Sequence, residues 1–234
     1  MKKNFSIVQA LRFGFLSTFT NIPVLFTIQL LRSLFWGIGL ALFWILFYGF
    51  VPTYKVITQS FFYGHGMYTL HDCFDLLYGT KIFLASMLLA LIDTIFVCGL
   101  IRVGLEIYDK GRGRFQSLVS LWPLVVLNMI LLNIIYKSIV TLGLILLVIP
   151  GLIWAVQFGF AYQAVVDKRI GSLEALRVSA QVTKGARWKL LGFWSLILVI
   201  NLLGYALFTV GTLLTMPATM LAQIFVYRRL QENS

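Results

Sequence analysis

Apolar residues run through this chain in long stretches, and the polar residues gather between them. An α-helix rises 1.5 Å per residue and a bilayer's hydrocarbon is ~30 Å thick, so about 20 consecutive apolar residues make one crossing. Six stretches come near that length: 22–50, 82–101, 121–140, 144–166, 188–208 and 212–227. Transmembrane strands would instead alternate in segments of about ten residues, unlike the unbroken run from Leu142 to Pro150. The pattern predicts an all-α, polytopic membrane helix bundle.

Shorter amphipathic segments introduce some of these stretches. Gln9-Ala10-Leu11-Arg12 recurs as Glu174-Ala175-Leu176-Arg177. In the later copy Glu174, Arg177, Gln181 and Lys184 fall on one helical stripe, with Leu173, Leu176 and Ala180 on another face. In the earlier copy Ile7, Val8, Leu11 and Phe15 form the apolar face. Segments 4–18 and 172–185 therefore read as helices lying in the membrane interface, and 115–121 as a weaker third version.

A second repeat follows. Thr141-Leu142-Gly143 precedes Pro150 much as Thr209-Val210-Gly211 precedes Pro217. Glycine favours a turn and proline bends a helix or begins one, which puts outer turns near Gly143 and Gly211 and both prolines inside spans. The result is one integral membrane domain over 1–234, built as three hairpins, with an extracytoplasmic loop at 51–81.

Composition agrees. Apolar residues make up 60% and charged residues 12%, and mean hydropathy is +0.91, whereas about a quarter of a soluble domain is charged. Charge then orients the bundle, because cytoplasmic connections hold the excess of Lys and Arg. Fifteen of the nineteen basic residues fall on one side: Lys2, Lys3, Arg12, Arg102, Lys110, Arg112, Arg114, Lys168, Arg169, Arg177, Lys184, Arg187, Lys189, Arg228 and Arg229. Lys55, Lys81 and Lys137 fall on the other, and Arg32 lies within the first stretch.

Six spans with both termini in the cytoplasm follow from the positive-inside rule. The formal charge of +11 is spread over several membrane-flanking clusters instead of one stripe, which argues against nucleic acid as partner. The bilayer and its anionic lipid headgroups are the expected partners, through Arg12, Arg112, Arg114, Arg177, Lys184 and Arg187. Gln9 and Arg12 interrupt the first apolar run, unlike the core of a cleaved signal peptide. Cys73 in the outer loop and Cys98 in the second span lie too far apart for a disulfide.

The stretch Leu147-Val-Ile-Pro-Gly-Leu-Ile153, the aromatic-rich span after it, Val166-Asp-Lys168, Ser172-Leu-Glu-Ala-Leu-Arg177 and Thr183-Lys-Gly-Ala-Arg-Trp188 carry a resemblance. The chain resembles uncharacterised bacterial inner-membrane proteins of about this length. Those are similar to the membrane domain attached to some glycerophosphodiester phosphodiesterases. The likeness is clearest over 142–230 and elsewhere concerns layout. It implies a six-helix protein of the bacterial inner membrane, and it carries no catalytic residue over, since the phosphodiesterase chemistry belongs to a separate soluble domain.

Charges inside spans are costly, which singles out Arg32 and Asp93. Counted along their helices they lie at nearly the same depth on antiparallel neighbours. Two structural arrangements fit: an interhelical ion pair, or an Arg32 that reaches toward the cytoplasm while Asp93 is protonated or hydrogen-bonded. A proton or cation site at Asp93 is the functional alternative. The amides Gln29, Asn128, Asn133, Gln157, Asn201 and Gln223 read as interhelical hydrogen-bonding groups.

Outside the spans, His65, His71, Asp72, Cys73 and Asp75 crowd the outer loop but lack the ligand spacing of a zinc site. Lys110-Gly-Arg-Gly-Arg114 lacks the order of a nucleotide-binding loop, and no nucleophile elbow or metalloprotease helix occurs. No cofactor, metal or catalytic residue is expected. The sequence favours a non-enzymatic membrane scaffold or envelope component over a transporter or lipid-handling protein with a polar path near Arg32 and Asp93.

Overall fold

The computed structural model describes the backbone of residues 5–61, 68–119, 123–146 and 148–232, with the side chains of all these except 43–61, 68–87, 118–119, 148–150 and 208–210. Among the described residues every regular element is helical: α1 (Ile7–Thr20), α2 (Ile22–Phe61), α3 (Tyr68–Lys110), α4 (Gln116–Val119), α5 (Pro123–Leu146), α6 (Val148–Phe158), α7 (Ala161–Lys168), α8 (Ser172–Thr183), α9 (Arg187–Ala206) and α10 (Phe208–Glu232). Among the described residues four stretches are long and apolar enough to cross a membrane: Ile22–Leu42, Leu88–Lys110, Pro123–Leu146 and Arg187–Ala206. Their outward side chains are apolar too. Leu34, Leu127, Ile145, Leu198 and Leu202 are each more than half exposed, a surface suited to lipid rather than water.

The chain divides into two compact units, residues 31–93 forming one and residues 1–30 with 94–234 the other. In the smaller unit α2 and α3 approach closely: a Cβ added at Gly39 would come within 2.6 Å of a Leu89 methyl. The loop expected over 51–81 is largely helical, since α2 continues to Phe61 and α3 begins at Tyr68. Only Pro52 lacks a backbone donor in those helical parts, so little there interrupts the hydrogen-bond ladder.

The larger unit holds the main core, in which Phe160, Phe193 and Tyr227 are fully buried. Its most extensive interhelical contact joins α1 to α10. The face α1 buries is Ala10, Gly14 and Thr18, whereas Val8, expected on the apolar face, is exposed. A Cβ at Gly14 would overlap the Ala218 carbonyl oxygen and crowd Ala222. Small residues hold this face because only they let the two helix backbones approach so closely.

The same helix links two other elements. At its start Phe5 meets Phe193 of α9 edge-on, with ring centroids 6.1 Å apart, and Lys189 Nζ lies 5.0 Å from the Phe5 ring. At its end Asn21 Oδ1 accepts the Gly113 N–H at 3.1 Å, in the connection after α3. Gly111 leaves α3 with φ +75°, a conformation that favours glycine.

Helix α5 packs on α6 and α9 on α10, and the junctions between them fall elsewhere than the sequence suggests. Helix α5 continues through Gly143 to Leu146 before α6 starts at Val148, and α9 gives way to α10 at Leu207. Gly143 and Gly211 are therefore close-approach residues inside helices. A Cβ at Gly143 would lie 2.9 Å from the Gly151 Cα, and one at Gly211 would overlap the Gly204 carbonyl oxygen. Pro150 is the third residue of α6, where the missing N–H has no intrahelical acceptor to lose. The fourth apolar stretch is broken, α6 ending at Phe158 and α7 starting at Ala161, and α10 covers the sixth with Pro217 inside it.

Candidate functional site

In the smaller unit, Arg32 and Asp93 project from α2 and α3 toward each other. Arg32 Nε donates to Asp93 Oδ1 at 2.6 Å and the Nη2 group donates to Oδ2 at 2.9 Å. The matched depths inferred from sequence thus correspond to a fork-to-carboxylate pair. Trp36, one turn beyond Arg32, donates its indole N–H to the same Oδ1 at 2.9 Å. Sequence reasoning missed Trp36, although its i,i+4 spacing from Arg32 puts it on the same helical face. Both charged side chains are mostly withdrawn from solvent, at 23% and 18% exposure. The guanidinium and carboxylate neutralise one another, and the carboxylate accepts three N–H donors.

In the larger unit a second ionic cluster forms where α3, α7 and α10 end. The Arg228 Nη2 atom lies 2.8 Å from Asp109 Oδ2 and 3.0 Å from Asp167 Oδ1. Its Nη1 group donates to Asp167 Oδ2 at 3.1 Å, and the Tyr227 hydroxyl donates to that oxygen at 3.2 Å. Gln231 in turn donates to the Tyr227 oxygen at 2.7 Å. Nearby Glu106 accepts from the Ser117 hydroxyl, from Lys110 at 3.3 Å and from the Arg114 backbone N–H at 3.4 Å. The available signal was the placement of Glu106, Asp109 and Asp167 among basic clusters. Carboxylates so placed gain counter-charges that tie helix ends together.

The break between α6 and α7 is closed by α8. Ser179 Oγ donates to the Gln157 carbonyl at 2.8 Å and accepts the Phe160 N–H at 3.2 Å, while Thr183 Oγ1 donates to the same carbonyl at 3.2 Å. Ser179, Thr183 and Phe160 have no solvent exposure. A helix broken in a buried place frees backbone groups that need partners, and these hydroxyls supply them. The buried face of α8 is accordingly Ser172, Ala175, Leu176, Ser179, Val182 and Thr183. Leu173, expected on the apolar side, is 63% exposed.

Arg12, Arg112, Arg114, Arg177, Lys184 and Arg187 are all exposed. Two of the spanning amides link helices: Asn201 with Thr219 at 3.4 Å, and Gln223 with Gln163 at 3.4 Å. No cluster able to hold a metal ion occurs among the described residues. His65, His71, Asp72, Cys73 and Asp75 lie outside the residues whose side chains are described.

The fold defines an all-helical chain with several helices suited to a membrane. No family model, curated protein or solved structure matches it.

Proposed function

We propose that the chain is a non-enzymatic scaffold or envelope component of the bacterial inner membrane, with six spans in three hairpins, both termini in the cytoplasm and a basic face against anionic headgroups. We also propose kinship with the membrane domain attached to some glycerophosphodiester phosphodiesterases, on the motifs over 142–230. The Arg32–Asp93–Trp36 cluster carries the functional reading. Its charges engage each other at 2.6 and 2.9 Å with a third donor on the carboxylate, as suits a joint between helices.

Contacts at the helix ends support the topology. Asn21 meets Gly113, and Arg228 meets both Asp109 and Asp167, which gathers several of the basic segments at one end of the larger unit. The test is ion flux into proteoliposomes containing wild-type or Asp93→Asn protein. A scaffold gives background flux in both and a less stable variant. Ion-dependent flux in the wild type that disappears in a stably folded Asp93→Asn protein overturns the reading in favour of transport.

A further inference from the structure

The ends of α3, α7 and α10 line an open pocket of about 250 Å³, far more than the ~15 Å³ needed to admit one water. Its carboxylates are engaged: Glu106 by Ser117, Lys110 and the Arg114 N–H, and Asp109 and Asp167 by Arg228. Arg102 also lines the cavity and is only partly exposed. It forms no ion pair among the described residues, even with Glu106 one turn along α3. A guanidinium stays charged in a protein, and one that faces an open pocket without an ion-pair partner can take an anion as its counter-charge.

We propose that this cavity binds the phosphate group of an anionic ligand, with Arg102 as the fork that grips two of its oxygens. Planar guanidinium matches phosphate geometry through paired N–H donors. The lining sets four basic residues, Arg102, Lys110, Arg169 and Arg228, against the three engaged carboxylates Glu106, Asp109 and Asp167. Phosphate reaches such a site either as a phospholipid headgroup or as a soluble ion. The lipid source rests on the membrane reading above, and the soluble source does not.

The experiment uses delipidated full-length protein in neutral detergent. One arm adds phosphatidylglycerol or phosphatidylcholine and counts retained lipids by native mass spectrometry; the other titrates inorganic phosphate by calorimetry. Wild-type protein is expected to bind in at least one arm, and Arg102→Gln to bind about tenfold or more weakly there, as loss of a charged hydrogen-bond pair implies. Preference for phosphatidylglycerol over phosphatidylcholine assigns the lipid source, and binding of inorganic phosphate alone assigns the soluble one.

Arg102→Lys retains the charge without the fork and is measured alongside. If Arg102→Gln does not fold, undiminished binding by Arg102→Lys overturns the proposal. Absence of binding in both arms, or equal binding by wild type and a folded Arg102→Gln, also overturns it. An Arg112→Gln/Arg114→Gln variant changes the exposed rim: weaker attachment of this variant to anionic vesicles, with cavity occupancy unchanged, separates the rim's lipid contacts from this site.

Discussion

The Ser179 hydroxyl donates to the Gln157 carbonyl across the gap between α8 and α6 at 2.8 Å, and the same oxygen accepts the Phe160 N–H. One side chain thus serves both sides of a helix break that the apolar pattern hides. It also gives α8 a structural role, since the helix closes the broken stretch with one face while presenting Glu174, Arg177 and Gln181 outward.

Replacing Ser179 by alanine leaves the Phe160 N–H unpaired in a buried place and the Gln157 carbonyl with Thr183 alone. The expected loss is about 1–3 kcal/mol, the usual cost of stranding a buried polar group. Thr183→Val should cost less, since Ser179 still reaches the carbonyl. Denaturant unfolding of detergent-solubilised protein checks the order, and a Thr183 variant weaker than the Ser179 variant contradicts it.

Close approach at Gly14 predicts a second effect. A methyl there would overlap the Ala218 carbonyl oxygen, so α1 must shift away from α10. Gly14→Ala is expected to destabilise by about 1–3 kcal/mol, as overpacking generally does, and Gly14→Leu to release α1 altogether. Limited proteolysis should then cut within 5–21 well before the rest of the chain. Unchanged protection in the leucine variant would show that α1 is held by something other than this contact.

These two sites show what the sequence conveys and what it conceals. Helical class and the presence of helices long and apolar enough to cross a membrane were legible, because the run length such a helix needs follows from bilayer thickness. That Arg32 and Asp93 could pair was legible because two expensive charges at one depth have few alternatives, though the sequence left an unpaired arrangement open as well. Gly143 and Gly211 misled, since glycine serves both turns and close helix contacts and only the fold decides between them. The buried face of α1 was partly hidden for a related reason: Ile7 and Leu11 do pack against the core, but hydrophobicity ranks the exposed Val8 above Gly14, whereas close packing ranks it below. Arg228's link to Asp109 and Asp167 joins residues far apart in sequence, beyond the reach of local periodicity.

That link makes an asymmetric prediction. Asp167 is 14% exposed and accepts from Arg228 and Tyr227, whereas Asp109 is 47% exposed and, among the described residues, is paired with Arg228 alone. Exposed pairs contribute little and enclosed ones much more when one partner is removed. Asp167→Asn is expected to destabilise more than Asp109→Asn, by about 1–2 kcal/mol. Thermal unfolding of the two variants in the same detergent decides it, and equal losses would mean that Arg228 is held by charge alone rather than by this geometry.

For Arg32 and Asp93 the informative comparison is between single and double changes. Asp93→Asn leaves a guanidinium without its carboxylate on a helix suited to lipid, and Arg32→Gln leaves the reverse. Each is expected to cost about 2–3 kcal/mol, the scale for an uncompensated charge at a membrane helix centre. The double variant Arg32→Gln/Asp93→Asn carries no charge and retains Trp36 as a donor to the new amide oxygen. It should regain at least half the loss of the worse single variant, giving a favourable coupling of more than about 1 kcal/mol in the double-mutant cycle. Trp36→Phe removes one donor while sparing the ion pair and should cost about 1 kcal/mol. Strictly additive losses for Arg32 and Asp93 would mean that the pair contributes no coupling, and the proposed joint between α2 and α3 would fail with it.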